Sequence, residues 1–273
     1  MVKLIVVAAM QRSGTTAFGE ALASHPDIRS LGEIFHSARS SHDDPEFERL
    51  RIDAGANFHI FKESLFARNP ALSYPSLEHQ RRIFDEYLDH IGVGDDRWTL
   101  VDVKYNSWHH FNPIWHTPTA VPHLVTLLKG RGAVLIHIGR RDLLARHVSE
   151  QIAIARGAFH FPQGEAPPPI QIDLDPKQVI DALRRAQSLV GHCSAWFQRY
   201  RPRIDLVYEK LFREGRIDAA IGKRLGDLLG IATTSSSFPL TLEKAVRSPS
   251  EHVRNWGELV AAVELARRQG ILR

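Results

Sequence analysis

Six residues near the N-terminus, Gln11-Arg12-Ser13-Gly14-Thr15-Thr16, have the make-up of an anion cradle. Gly14 lets the backbone approach a ligand closely, Arg12 adds a permanent charge with a forked set of donors, and the hydroxyls of Ser13, Thr15 and Thr16 can donate to phosphate oxygens. The run lies between an apolar stretch and a helical pattern, where backbone N–H groups and the positive helix end favour anions. It lacks the GxxxxGK[ST] spacing of nucleotide triphosphatases, since no lysine precedes the Thr pair, so ATP is disfavoured. The bland alternative is a solvated glycine turn.

A second group, Gly139-Arg140-Arg141-Asp142, follows an apolar run and precedes Ser149 by a helical interval. This spacing puts a cation at a strand's C-terminal end and a hydroxyl about two turns along the next helix, both within reach of an anion in the crevice outside a sheet. Asp142 reads as a helix cap. Arg140 reads as a solvated side chain.

The elements that must position these groups follow from the apolar pattern. Leu4 to Ala9 is a β-branched run suited to a strand buried on both faces, and Phe18 and Leu22 take up helical spacing until Pro26. Strands are expected near Ile28 to Phe35, Thr99 to Lys104, Ala133 to Ile138 and Ile204 to Tyr208. Helices are expected from a Ser76 cap to Gly92, from Pro122 to Lys129, from Asp142 onward, near Val179 to Tyr200, near Ile217 to Leu229 and from Ser250 to Arg268. Such alternation predicts an α/β fold in three α/β/α layers with a mainly parallel central sheet. Residues 1–273 read as one domain with a Pro- and Gly-rich loop, Gly157 to Pro176, that either covers a substrate or connects elements.

The first motif resembles the 5′-phosphosulfate loop of sulfotransferases, roughly Pro-Lys/Arg-Ser-Gly-Thr-Thr, with Gln11 in place of the usual proline. Arg141 and Ser149 match the Arg and Ser, eight residues apart, that bind the donor's 3′-phosphate in that family, and Arg-Arg-Asp then Ser looks most like bacterial carbohydrate sulfotransferases. Val207-Tyr208-Glu209 is similar to the element whose tyrosine contacts adenine, although a tyrosine ending a strand is more often core. Lys244, Arg247 and Arg254 stand where the family closes its donor site with basic residues, and Arg247 is the candidate taken from them. The resemblance implies a P-loop-like sulfotransferase fold, 3′-phosphoadenosine 5′-phosphosulfate (PAPS) as donor cosubstrate, adenosine 3′,5′-bisphosphate (PAP) as product and no metal.

Sulfuryl transfer needs an acceptor oxygen in line with sulfur, a proton acceptor, and cations on the bridging oxygen and departing phosphate. Glu33, in Leu31-Gly32-Glu33-Ile34-Phe35, is the candidate base, and Gly-Glu here resembles carbohydrate and tyrosyl-protein sulfotransferases that use a glutamate. Its alternative is a loop carboxylate paired with an arginine. His36 is the fallback base. Arg12, with the loop amides, would stabilise the leaving group, and Lys104, at a strand end, could neutralise the bridging oxygen or lie on the surface. Trp108, His109, His110, Phe111, Trp115 and His116 suit stacking against sugars or aromatic acceptors, and equally suit packing. These histidines have no neighbouring Cys and no HExxH arrangement, so zinc is not expected.

The bulk properties fit this picture. With 273 residues, 43% hydrophobic and 24% charged, the chain can bury a large core. A formal charge of +4 attracts anionic ligands, but the basic residues are dispersed, so nucleic acid is not an expected partner. The single cysteine, Cys193, forms no internal disulfide and reads as buried filler, which points to a reducing, cytoplasmic compartment. No apolar run approaches the length of a membrane span. The expected partner is a small-molecule or carbohydrate acceptor offering a hydroxyl or an amine, and homo-oligomerisation is compatible with the sequence. Two other classes stay open: a P-loop kinase or NTPase, and a nucleotide-binding protein without catalysis.

Overall fold

The computed structural model describes residues 2–36, 53–94, 96–117, 120–159, 161–162, 164, 168–234, 237–243 and 248–273. Among them the chain runs β1 (Leu4–Ala9), α1 (Thr15–Ala23), β2 (Ile28–Glu33), α2 (Phe58–Arg68), α3 (Leu77–His90), β3 (Trp98–Lys104), α4 (His123–Arg131), β4 (Val134–Gly139) and α5 (Leu143–Arg156). It continues through β5 (Phe161–Pro162), α6 (Pro176–Phe197), β6 (Arg203–Val207), β7 (Phe212–Arg213), β8 (Arg216–Ile217), α7 (Ala219–Leu229), β9 (Leu242–Glu243) and α8 (Trp256–Arg268).

Five parallel strands form the central sheet in the order β2-β3-β1-β4-β6. All six residues of β1 are buried, because helices cover both of its faces, and the two faces divide the alternating side chains between two clusters. Leu4, Val6 and Ala8 meet α2, α3, α4 and α6, whereas Ile5, Val7 and Ala9 meet α1 and α7. A third cluster joins α5, α6 and α8 beside the sheet. This is the three-layer, P-loop-like α/β arrangement expected from the pattern and the family resemblance.

Local signals explain several boundaries. Ser76 accepts from the His79 amide and starts α3, and Asp142 accepts from Ala145 and starts α5. Helix α6 begins at Pro176, three residues before the expected start, because Asp175 accepts from the Lys177 amide and proline suits the first helical position. Helix α8 begins at Trp256 rather than Ser250. Residues ahead of it are taken up in a backbone exchange, with Ile172 donating to the His252 carbonyl at 2.9 Å and Arg254 donating to the Ile172 carbonyl at 3.0 Å. Helix α2 was not expected at all. Its buried Phe58, Phe61 and Leu65 have helical spacing behind an Asn57 cap, but Ile60, Phe66 and Ala67 blur the periodicity.

Candidate active site

Every central strand ends in a residue, or runs into one, that the sequence singles out. Gln11 to Thr16 follow β1, Glu33 ends β2, Lys104 ends β3, Arg140 and Arg141 follow β4, and Tyr208 follows β6. Parallel strands share a direction, so all of these lie at one edge of the sheet, in the crevice where open α/β sheets hold their ligands.

The β1–β4 end is built on a turn with left-handed backbone at Arg12 (φ 63) and Gly14 (φ 73), the second of which starts α1 with no side-chain cap. A Cβ at Gly14 would lie 2.7 Å from the Tyr208 ring, so this position needs glycine for space as well as conformation. The Ser13 hydroxyl is 1% exposed and has no hydrogen-bond partner among the described residues, a buried donor set in an uncapped helix start. Arg12 Nε lies 3.4 Å from Ser149 Oγ, and Arg12 Nη1 donates to the Phe159 carbonyl at 3.0 Å with the guanidinium 5.8 Å from that ring. The two motifs, 137 positions apart, therefore meet.

Arg140 is half-buried, not solvated as expected. Its Nη1 donates to the Arg12 carbonyl and its guanidinium lies 4.5 Å from the centre of the Tyr208 ring. Burial, and then repulsion by Arg140, lower the pKa of Arg12, and burial lowers that of Arg140. Arg146, 6% exposed, pairs with Glu150 at 3.1 Å and directs Nη1 towards the Gln11 carbonyl at 3.5 Å. Arg141 has an exposed side chain that pairs with no described residue, while Glu209 accepts from the Arg141 and Asp142 amides at 2.9 and 3.0 Å. Glu209 thus secures the start of α5.

The β2–β3 end has the opposite character. Lys104 is 5% exposed and sits 2.6 Å from Asp102 Oδ2 and 3.0 Å from Glu33 Oε1, and it also donates to Thr15 Oγ1 at the head of α1. Burial alone would depress its pKa, but Asp102 and Glu33 outweigh this and leave it raised, so the ammonium stays charged. Burial raises the pKa of Asp102 against the pull of Lys104. The register between β2 and β3 shifts between Ser30 and Glu33, where Gly32 takes φ 70. A bulge of this kind re-aims the side chain that follows, and so Gly-Glu delivers Glu33 to Lys104. The reading of Lys104 as a surface lysine is thereby corrected. The partner of Glu33 is a lysine and not an arginine.

The aromatic and histidine segment after β3 divides. Trp108 and Phe111 are fully buried, packed on Phe197 at 4.7 Å and on Phe58 at 4.7 Å, and belong to the core. His110 stacks on Phe35 at 5.0 Å beside His59, and burial followed by repulsion from His59 lowers its pKa to about 4. His109 faces Trp196 and is likewise lowered by burial, whereas Trp115 is 90% exposed. His36 lies three residues after Glu33, across a turn in which its amide donates to the Glu33 carbonyl at 3.1 Å.

A family model described as Sulfotransferase family matches residues 5–221, well over half of the chain. The chain belongs to the sulfotransferase family. It is accordingly a transferase of sulfuryl groups that requires a sulfate donor. No curated protein matches the chain. Among solved structures, a sulfotransferase from Alicyclobacillus acidocaldarius aligns over 95% of this chain and 92% of its own, with 11% identity and a TM-score of 0.43. A shikimate kinase from Bacteroides thetaiotaomicron aligns over 85% of this chain and 100% of its own, with 12% identity and a TM-score of 0.41.

Within this sulfotransferase, Arg247 and Lys244 lie outside the described residues. Arg254 pairs with Asp173 of the Pro-rich loop, both side chains exposed, which explains its charge without a ligand. The loop itself is tied to the C-terminal region by the 172–254 exchange and by pairing of β5 with β9. Cys193 is buried, its thiol pushed up to about 12, as expected of an inert core residue. Sequence reasoning missed Asp102 and Arg146 and discounted Arg140. For Asp102 a signal was present, because its side chain falls on the Lys104 face of β3, two residues earlier. No described residues form a group of three metal-ligating side chains, and no described helix is long and apolar enough to cross a membrane.

Proposed function

We propose that the protein is a PAPS-dependent sulfotransferase acting on a hydroxyl, or an amine, of a carbohydrate or small metabolite. The observation that supports this reading is the 3.4 Å approach of Arg12 to Ser149, which brings the N-terminal turn beside the second motif; in the proposal they are the two ends of one anion site. In the proposal Arg12, Ser13, Gly14, Thr15 and Thr16 hold the phosphosulfate, Arg141 and Ser149 hold the 3′-phosphate, and Tyr208 and Arg247 complete the donor site. The residues fit such a ligand: Ser13 offers a buried, unpartnered hydroxyl, the start of α1 is uncapped, and Gly14 keeps the turn open.

The donor supplies an activated sulfuryl group with a phosphate leaving group. Arg12 and the loop amides stabilise negative charge on that phosphate through donors fixed before reaction. Glu33 accepts the proton of the acceptor hydroxyl as the oxygen–sulfur bond forms, and the acceptor's lone pair makes that bond. Lys104 holds Glu33 beside Thr15 at the head of α1, and in the proposal its ammonium neutralises charge on the bridging oxygen. Asp102 keeps Lys104 compensated when Glu33 becomes neutral.

Incubating the protein with radiolabelled PAPS and fractionated cell extract tests donor use and finds the acceptor together. Label transferred to an extract component, lost with Glu33→Gln, supports the proposal. Dependence of turnover on ATP and Mg²⁺ would overturn it in favour of a kinase, and PAP binding without transfer to any fraction would favour a non-catalytic binder.

A further inference from the structure

We infer that Arg140 is a positioning residue that braces the donor loop, gripping the Arg12 carbonyl while pressing Tyr208 against Gly14, so that the loop amides face the anion. The inference rests on the donor reading above, but its geometry is independent of the motif match, which assigns the phosphate to the neighbouring Arg141.

The loop needs an external hold. The left-handed region is unfavourable for a residue other than glycine, and Arg12, with φ 63, is such a residue. Conformations of this sort persist where surrounding contacts over-determine them. One guanidinium supplies two such contacts. Arg140 Nη1 donates to the Arg12 carbonyl, and in a trans peptide the carbonyl and the following N–H point in opposite directions. A carbonyl drawn to Arg140 therefore turns the Ser13 amide the other way.

The same guanidinium lies 4.5 Å from the centre of the Tyr208 ring, at cation–π distance. That ring in turn lies against Gly14, where an added Cβ would come within 2.7 Å of Cε2. Arg140, Tyr208, Gly14 and Arg12 thus form a closed chain of contacts around the turn. Arg146 adds a weaker hold on the preceding carbonyl, that of Gln11, at 3.5 Å. A planar guanidinium can grip an oxygen at its edge and a ring on its face at once, whereas an ammonium is a point charge that cannot do both.

The test uses the full chain and two variants, Arg140→Lys, which keeps the charge, and Arg140→Met, which removes it. Affinity for adenosine 3′,5′-bisphosphate is measured by calorimetry, and amide hydrogen exchange at Ser13 and Gly14 is followed by NMR in the free protein. The brace predicts that both variants weaken binding by about tenfold or more. It also predicts faster exchange at Ser13 and Gly14 with an unchanged melting transition for Arg140→Lys. Wild-type affinity and exchange in Arg140→Lys, with loss only in Arg140→Met, would assign Arg140 a charge contact with the ligand and overturn the brace. If Arg140→Met fails to fold, Arg140→Lys alone decides. Failure of the wild-type protein to bind the bisphosphate would remove the donor reading instead, and the exchange comparison would still judge the brace.

Discussion

The two ends of the crevice are built from the same kinds of charge in opposite proportion. At the β1–β4 end Arg12, Arg140 and Arg146 gather around the turn, and among them Arg146 pairs with Glu150. At the β2–β3 end Glu33 and Asp102 flank a single ammonium, Lys104. A surplus of buried cation is relieved by an anionic ligand, and a surplus of carboxylate is relieved by a proton. The contrast supports the proposed division, with an anion held at one end and a proton accepted at the other, on grounds separate from the motifs.

The largest effect that could break this division is on turnover. Glu33→Gln should lower kcat by about 10²- to 10⁴-fold, the usual contribution of a general base, while calorimetry shows PAP affinity within a small factor of wild type. A parallel loss of PAP binding would mean that the two ends are not separable. Arg141→Ala should weaken PAP binding by roughly 10- to 100-fold, as expected for charge-assisted hydrogen bonds. Unchanged affinity on folded protein would leave the cation surplus to Arg12, Arg140 and Arg146 alone.

A third prediction concerns the packing that follows β2, where the His110 ring stacks on Phe35 beside His59. His110 titrates near 4 in the folded chain against 6.5 for an ordinary histidine, so between these values the unfolded state binds more protons than the native state. Its contribution to stability is therefore intact above pH 6.5 and lost as pH falls from there towards 4. At pH 5 this amounts to about 2 kcal/mol relative to His110→Phe, which removes the titration and keeps the ring stacked on Phe35. Urea unfolding of both proteins at pH 7 and pH 5 measures it, and an equal difference at the two values would refute the neutral imidazole. The smallest effect is local. Gly14→Ala should cost about 1–2 kcal/mol through its left-handed backbone and also push Tyr208 away, seen as a lowered Tm and weaker PAP binding.

Much of the fold was legible because the signals were local. Leu4 to Ala9 is continuous and β-branched, and the structure has β1 over those residues; Ser76 and Asp142 cap the helices that they were expected to cap. The expected boundaries failed where distant backbone intervened, as at residues 252–254, whose pairing with Ile172 replaces the first turn of a helix. Within the site, Arg12 and Ser149 could be paired through a family resemblance. The position of Arg140 could not, since an arginine between a strand and a helix reads as solvated unless Tyr208, 68 positions later, is known to lie beneath it.

The sequence by itself determined the alternation of strands and helices, the glycine and hydroxyl turn after β1, and the identity of the charged residues at the strand ends. Those properties depend on neighbours within a few residues, through propensity, capping and the period of apolar side chains. Only the tertiary structure decided which charges face one another, namely Lys104 between Asp102 and Glu33, Arg12 against Ser149, and Arg140 against Tyr208. Strand order sets those meetings, and strand order is fixed by packing helices on both faces of the sheet rather than by any local run of residues.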